Sequence, residues 1–140
     1  MASNRTLAII KPDALAGNKA GLILAHLEKA GFKLIACRVM TLTRAQAGEF
    51  YAVHEGRPFY PGLVEFMTSG HCMPMVLERD QAVSALRVAI GATDPAEAAA
   101  GTVRKLYAES KGRNAIHASD SDENAARESR FFFAETDLIR

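Results

Sequence analysis

Residues 32–42 read FKLIACRVMTL, with apolar side chains on both parities of an extended chain. No other stretch narrows the fold as much. A strand that alternates apolar and polar needs one cover, whereas a strand apolar on both sides needs one on each. Covers are encoded on either side of it. Ala20, Ile23, Leu24 and Leu27 recur at helical spacing between Lys19 and Ala30, and Gly31 stands where a helix ends in the left-handed conformation. Thr43 is of the cap type and opens a helix through Ala45, Phe50 and Tyr51.

The rest of the chain supplies partners for that strand. RTLAII (5–10) reads as a β-branched strand that Lys11-Pro12 stops, because proline has no N–H for the ladder. EGRPFYPGL is a Gly/Pro loop, followed by a helical segment through Val64, Phe66 and Met67. HCMPMVLE (71–78) is another strand, in which Pro74 argues against a central position. Gln81 to Ile90 is helical, and in GATDPAEAAAG either Thr93 or Asp94 caps a turn that starts at Pro95. After Lys111-Gly112, the spacing of Asp120 and Glu123 predicts a capping box and a helix from Ser119 or Asp120 through Arg130, then a short final strand, FFF. The order predicts an α+β fold: a ferredoxin-like sandwich, with a mostly antiparallel four-stranded sheet covered by helices. With 140 residues and no internal repeat or linker, the expectation is a single domain, 1–140.

A formal net charge of +1 offers no general attraction to nucleic acid or an anionic membrane, so any phosphate chemistry has to come from a local cluster. The start, MASNRTLAIIKPDA, has no signal-like apolar core, and no apolar run approaches the roughly 20 residues of a membrane span. Cys37 and Cys72 read as reduced thiols of a cytoplasmic protein, a disulfide being the alternative.

Several residues suit phosphate chemistry, each with a plainer alternative. His117 falls just outside the expected helix N-terminus, where anions are favoured and a neutral imidazole would meet a phosphate as nucleophile. The local pattern equally admits a surface histidine beside a capped helix. Lys11 shares parity with Leu7 and Ile9, so it projects inward toward an anion or ends the strand in solvent. Arg87, Thr93 and Arg104 match phosphate oxygens, or are scattered surface. Tyr51 and His54 lie one helical turn apart. Phe59 and Leu63 flank the Pro/Gly loop, to cover a base or merely anchor the loop. His26 and His71 gain no role, and no pair of the four histidines has zinc-ligand spacing. His117, Ser119 and Asp120 carry the letters of a hydrolase triad but are too close in sequence to adopt its geometry.

Five blocks then fall in order: TLAIIKPDA at the start, FYAVHEGRPFYPGLVEFMTSG in the middle, GATDPAEAAAGTVR, NAIHASD at 114–120, and NAARES. NAIHASD fits the signature Asn-x-x-His-(Gly/Ala)-Ser-Asp, and together the blocks resemble nucleoside diphosphate kinase over essentially the whole chain. The resemblance implies transfer of the γ-phosphate of a nucleoside triphosphate, mainly ATP, to a nucleoside diphosphate. The transfer would be ping-pong, through a phosphohistidine on His117, with broad base and sugar specificity, and would balance NTP and dNTP pools. Lys11, assisted by the Tyr51 hydroxyl, would stabilise the transferring phosphoryl group. Arg87, Thr93, Arg104 and His54 would hold the terminal phosphates, Asn114 and Lys11 the sugar hydroxyls, and Phe59 with Leu63 the base. Glu128 would bond the imidazole nitrogen that does not attack, and Ser119 would steady Glu128. Mg²⁺ would ride on nucleotide phosphates and water with no dedicated protein ligands.

Four positions depart from the family pattern. Ala118 replaces the usual glycine and fits if its φ is negative. Lys111 replaces an apolar residue against the base, which its aliphatic stem would still cover. Ala100 replaces a frequent proline, and Arg79 a common glycine. The resemblance also implies a homo-oligomer, a tetramer or hexamer built from dimers, and the ending FFFAETDLIR is expected to be too short an extension to reach across an interface. The alternative is a catalytically silent or nucleic-acid-binding member of the same fold. The latter would carry a basic face or exposed aromatics on adjacent strands, and the near-neutral charge speaks against it.

Overall fold

The computed structural model describes residues 3–139. β1 (Arg5–Ile10) leads into α1 (Pro12–Ala16), α2 (Ala20–Lys29) and β2 (Lys33–Cys37). Then come α3 (Arg44–Phe50), α4 (Tyr60–Met67), β3 (Met73–Glu78) and α5 (Ala82–Ile90), followed by α6 (Val103–Tyr107), β4 (Ile116–Ala118) and α7 (Asp122–Phe132). The strands form one sheet in the order β2-β3-β1-β4, every neighbouring pair antiparallel. This is the helix-covered, ferredoxin-like α+β sandwich expected of the sequence.

Each face of the sheet has its own core. Ala8 and Ile10 of β1 join Ile23 and Leu27 of α2, Leu86 and Ile90 of α5 and Val103 of α6. On the other face Leu7 and Ile9 meet Phe50 of α3, Val64 and Met67 of α4 and Phe132 of α7. Local chemistry sets the ends of these elements. Gly31, at φ +96°, follows α2 as the left-handed residue. Thr43 and Gln46 form a reciprocal capping box, with bonds of 3.1 and 2.9 Å, at the start of α3. Arg79 donates to Ala30 O at 2.7 Å and lies over the Phe32 ring, closing the end of α2, which gives this departure from glycine a function.

Four expectations need correction. The segment 32–42 is not a strand covered on both faces: only Lys33–Cys37 is strand, at the sheet edge, and the doubly covered strands are β1 and β3. Its two-sided apolar pattern serves both cores from that edge, Phe32 and Leu34 packing on one and Ile35 and Leu42 on the other, helped by a register shift between Leu34 and Ala36. Pro74 does occupy a central strand. Its carbonyl accepts from Arg38 N at 3.2 Å, beyond the last residue of β2, so its missing N–H falls at the frayed end of the β2–β3 pair.

The final strand expected at FFF is absent, because Phe131 and Phe132 complete α7 and press on Phe50 with ring centroids 5.3 and 5.1 Å away. The fourth strand is instead Ile116–Ala118, within the stretch read as loop and helix start. Two five-residue helices, α1 and α6, fall below the length at which apolar periodicity shows. Both cysteines are free thiols, Cys37 exposed and Cys72 buried. Among the described residues no helix is long and apolar enough to cross a membrane.

Candidate active site

β1 and β4 meet with Ile9 opposite His117, so the histidine projects on the face of Leu7 and Ile9. Phe50 and Tyr51, at the end of α3, stand edge-on to the imidazole with ring centroids 5.4 and 5.9 Å away. They leave the ring little freedom to rotate. The expected helix mouth is not what positions His117. The cap of α7 is Ser121, whose Oγ accepts from Asn124 N at 3.1 Å, while Asp120 bonds the Asn124 side chain at 2.6 Å and forms no capping box. The histidine rides on a strand, and its orientation comes from side chains.

α7 carries those side chains inward. Asn124, Arg127 and Glu128 follow the i, i+3, i+4 spacing of one helix face and all three reach the cleft. Glu128 Oε1 is 2.7 Å from His117 Nε2 and accepts from Ser119 Oγ at 2.7 Å. A carboxylate beside Nε2 holds the proton there and leaves Nδ1 with its lone pair. Burial pushes the His117 pKa below the ordinary histidine value, outweighing the upward pull of Glu128, so the ring is neutral near pH 7.

The opposite wall is cationic. Lys11 closes β1, is buried, and donates to Asn114 Oδ1 at 2.9 Å. Burial, reinforced by Arg104, brings its pKa down to about 8 against the opposing pull of Asp13. Arg104, on α6, donates to the carbonyls of Gly91, Ile116 and Asn114 at 3.0, 2.7 and 3.4 Å. Burial and the nearby Arg87 lower it to about 10, which still leaves it charged. Arg87, from α5, reaches Ala118 O at 3.4 Å. Asn114 donates to Thr93 O at 3.2 Å, tying the long 91–102 connection to the site.

These groups surround a cleft of about 420 Å³. Lys11, Tyr51, His54, Phe59, Arg87, Thr93, Arg104, Asn114, His117 and Glu128 all line it. Phe59 stands at its mouth, 53% exposed, with its ring against His54 at 5.1 Å. The Tyr51 hydroxyl is buried with no hydrogen-bond partner, and burial raises its pKa far above the usual phenol value. Ser119 sits behind Glu128 rather than in the lining, and Leu63 packs on the second core. Lys111 lies outside the lining on an exposed turn. Ala118 has no positive φ, so its methyl meets the condition set for it. Nothing in the structure explains Ala100.

Phe50, Val53, Asp120, Asn124 and Arg127 also line the cleft and were not among the residues singled out for a role there. The helix-face spacing with Glu128 marks Asn124 and Arg127, while Phe50 and Val53 carry no local signal of a site. Among the described residues no three His, Cys, Asp or Glu side chains gather as a metal site. Asp120 is a lining carboxylate that does not engage His117. Such a donor set suits a hard cation that arrives on phosphates with its water, not one caged by protein.

The nucleoside diphosphate kinase family model matches residues 4–138. A protein named nucleoside diphosphate kinase from Chlorobium chlorochromatii is 57% identical over 97% of both chains. The nucleoside diphosphate kinase of Aquifex aeolicus superposes with a TM-score of 0.95 at 43% identity, covering 97% of this chain and 99% of that one. The Halobacterium salinarum nucleoside diphosphate kinase in complex with CDP superposes with a TM-score of 0.93 at 38% identity, covering 97% and 91%.

Proposed function

The chain belongs to the nucleoside diphosphate kinase family of phosphotransferases, and we propose that it moves the γ-phosphate of a nucleoside triphosphate to a nucleoside diphosphate through a phosphohistidine on His117. One observation carries this reading. Glu128 occupies Nε2 of a neutral, confined imidazole, which leaves Nδ1 nucleophilic in a cleft that also holds Lys11, Arg87 and Arg104.

In the first half-reaction Nδ1 attacks the γ-phosphorus. The Nδ1–P bond forms, the bond from phosphorus to the β,γ-bridging oxygen breaks, and the nucleoside diphosphate leaves with that electron pair. Lys11 stabilises the charge that gathers on the leaving oxygen, with Tyr51 offering its unpartnered hydroxyl. Arg87, Arg104, Thr93 and His54 hold the phosphates, and Asn114 with Lys11 holds the sugar. As Nδ1 is phosphorylated the ring becomes cationic, and Glu128, steadied by Ser119, compensates that charge. A second nucleoside diphosphate reverses the steps, its terminal oxygen attacking phosphorus and returning the electron pair to Nδ1. Mg²⁺, when bound, neutralises charge on the phosphate oxygens, and Asp120 is the carboxylate that would face its water. Phe59 offers the base a ring rather than hydrogen bonds, which favours tolerance of every base, ribose or deoxyribose, and a role in balancing nucleotide pools.

The protein is expected to act in the cytoplasm as a homo-oligomer, a tetramer or hexamer built from dimers. The exposed edge of β2, where the sheet ends, supports the dimer. Incubation with a Mg²⁺ nucleoside triphosphate and no acceptor should leave an acid-labile, alkali-stable phosphoenzyme. A catalytically silent family member would leave none, and phosphorylation of a His117→Ala variant would overturn the mechanism.

A further inference from the structure

The residue that delivers His117 into the cleft is strained. Ala115 has φ +75°, and the amide of Ile116 bonds back to Asn114 O at 2.9 Å, which makes residues 114–116 a γ-turn of the rare positive-φ kind. For an alanine this conformation costs about 1–2 kcal/mol and persists only where the surroundings over-determine it. Both backbone groups of Ala115 are held by one short segment. Its carbonyl accepts from Lys11 N at 2.8 Å, and its amide donates to Asp13 Oδ2 at 3.1 Å. Asp13, in the first turn of α1, is buried, and its Oδ1 has no partner. A buried carboxylate held this way performs a task that a neutral apolar residue would not.

We propose that Asp13 is a positioning residue for phosphoryl transfer: its carboxylate clamps the strained turn at Ala115, and with it fixes Asn114 and His117 against Lys11. This deepens the kinase reading and rests on it. The charge of Asp13 has a second consequence. Lys11 faces Arg104 from α6, His117 and Asn114 from the β4 segment, and Asp13 from α1, while Arg113 also interacts electrostatically with Asp13. Among these, Asp13 supports the protonated lysine and Arg104 opposes it.

Two substitutions separate geometry from charge. Asp13→Asn keeps an oxygen for the Ala115 amide and loses the charge, whereas Asp13→Ala loses both. In single-turnover phosphorylation at saturating Mg²⁺-ATP, Asp13→Ala should slow the step by about 10–100-fold. Asp13→Asn should remain within about tenfold of the parent at pH 7, but its alkaline limb should move to lower pH. Hydrogen exchange at the Ala115 amide should be protected in the parent and in Asp13→Asn, and lost in Asp13→Ala. Full-rate phosphorylation by Asp13→Ala, an unmoved alkaline limb in Asp13→Asn, or protection that survives in Asp13→Ala would each overturn the proposal. A parent that forms no phosphoenzyme would sink the kinase reading instead, and the exchange measurement would still judge the clamp.

Discussion

His117 on β4 and Glu128 on α7, eleven residues apart in sequence, share a hydrogen bond of 2.7 Å that fixes which ring nitrogen is free. Replacing Glu128 by Ala removes the ring's only acceptor among the described residues, and the proton then divides between the two nitrogens. Phosphoenzyme formation should fall by about 10–100-fold, with a smaller loss for Glu128→Gln, whose amide oxygen can still accept from Nε2. Rapid-quench kinetics read this directly. A parental rate in Glu128→Ala would mean that the carboxylate does not set the tautomer.

The pH profile should have two limbs. His117, lowered by burial from 6.5, loses its nucleophilic form only in more acidic solution, and Lys11 discharges near pH 8, so activity should fall above about pH 8. Lys11 also bears on stability. Its folded-state pKa is below the unfolded value of 10.5, so burying the charged amine opposes folding at neutral pH, and that opposition fades as pH rises from 8 to 10.5. Lys11→Met should abolish phosphoryl transfer yet raise stability at pH 7 by roughly 1–2 kcal/mol, after allowing for the lost bond to Asn114. The gain should shrink at pH 10. Urea unfolding at the two pH values checks the sign.

Gly91→Ala should be severe. Gly91 has φ +88°, and a methyl there would lie 2.6 Å from Thr102 Oγ1 and 2.8 Å from Thr102 Cβ. The expected loss is about 2–4 kcal/mol in chemical denaturation. Because the Gly91 carbonyl anchors Arg104 at 3.0 Å, the KM for nucleotide should rise as well. A variant as stable as the parent would show that the 91–102 connection yields more readily than its packing suggests.

Phe59→Ala should do the reverse, leaving the fold intact and weakening ligand binding. The ring is 53% exposed, so stability should change by under about 0.5 kcal/mol. Loss of a stacking platform should weaken nucleoside diphosphates by about 1–3 kcal/mol. Titration calorimetry with ADP, GDP and CDP should show nearly equal losses. A loss confined to one base would instead point to edge recognition.

The helices show in the sequence where they are long enough to repeat an apolar face or carry a cap, as Thr43 does for α3. Ile23 and Leu27 mark α2, and Leu86 and Ile90 mark α5. β4 does not show, because three residues cannot establish an alternation and the residue before them turns through a positive φ that alanine does not advertise. FFF misleads because its phenyl groups continue a helix onto Phe50 rather than a strand onto the sheet. The site was legible mainly through the resemblance. Local pattern put His117 at a helix mouth, whereas a strand and a buried carboxylate hold it. Asp13 escaped notice because its task is to satisfy one backbone amide, and nothing in KPDA signals a partner so distant along the chain.

The pairing of β1 with β4 has a consequence for the birth of the molecule. Lys11 leaves the ribosome early, but Asn114, its partner, lies 103 residues further on, and Glu128 is later still. β1 and β3 can pair, and much of both cores can gather, while His117 is still unsynthesised. On the proposed mechanism a ribosome-bound intermediate would therefore have most of the fold and none of the chemistry, and activity would begin only as α7 emerges. On that mechanism, catalysis waits for α7 to pack.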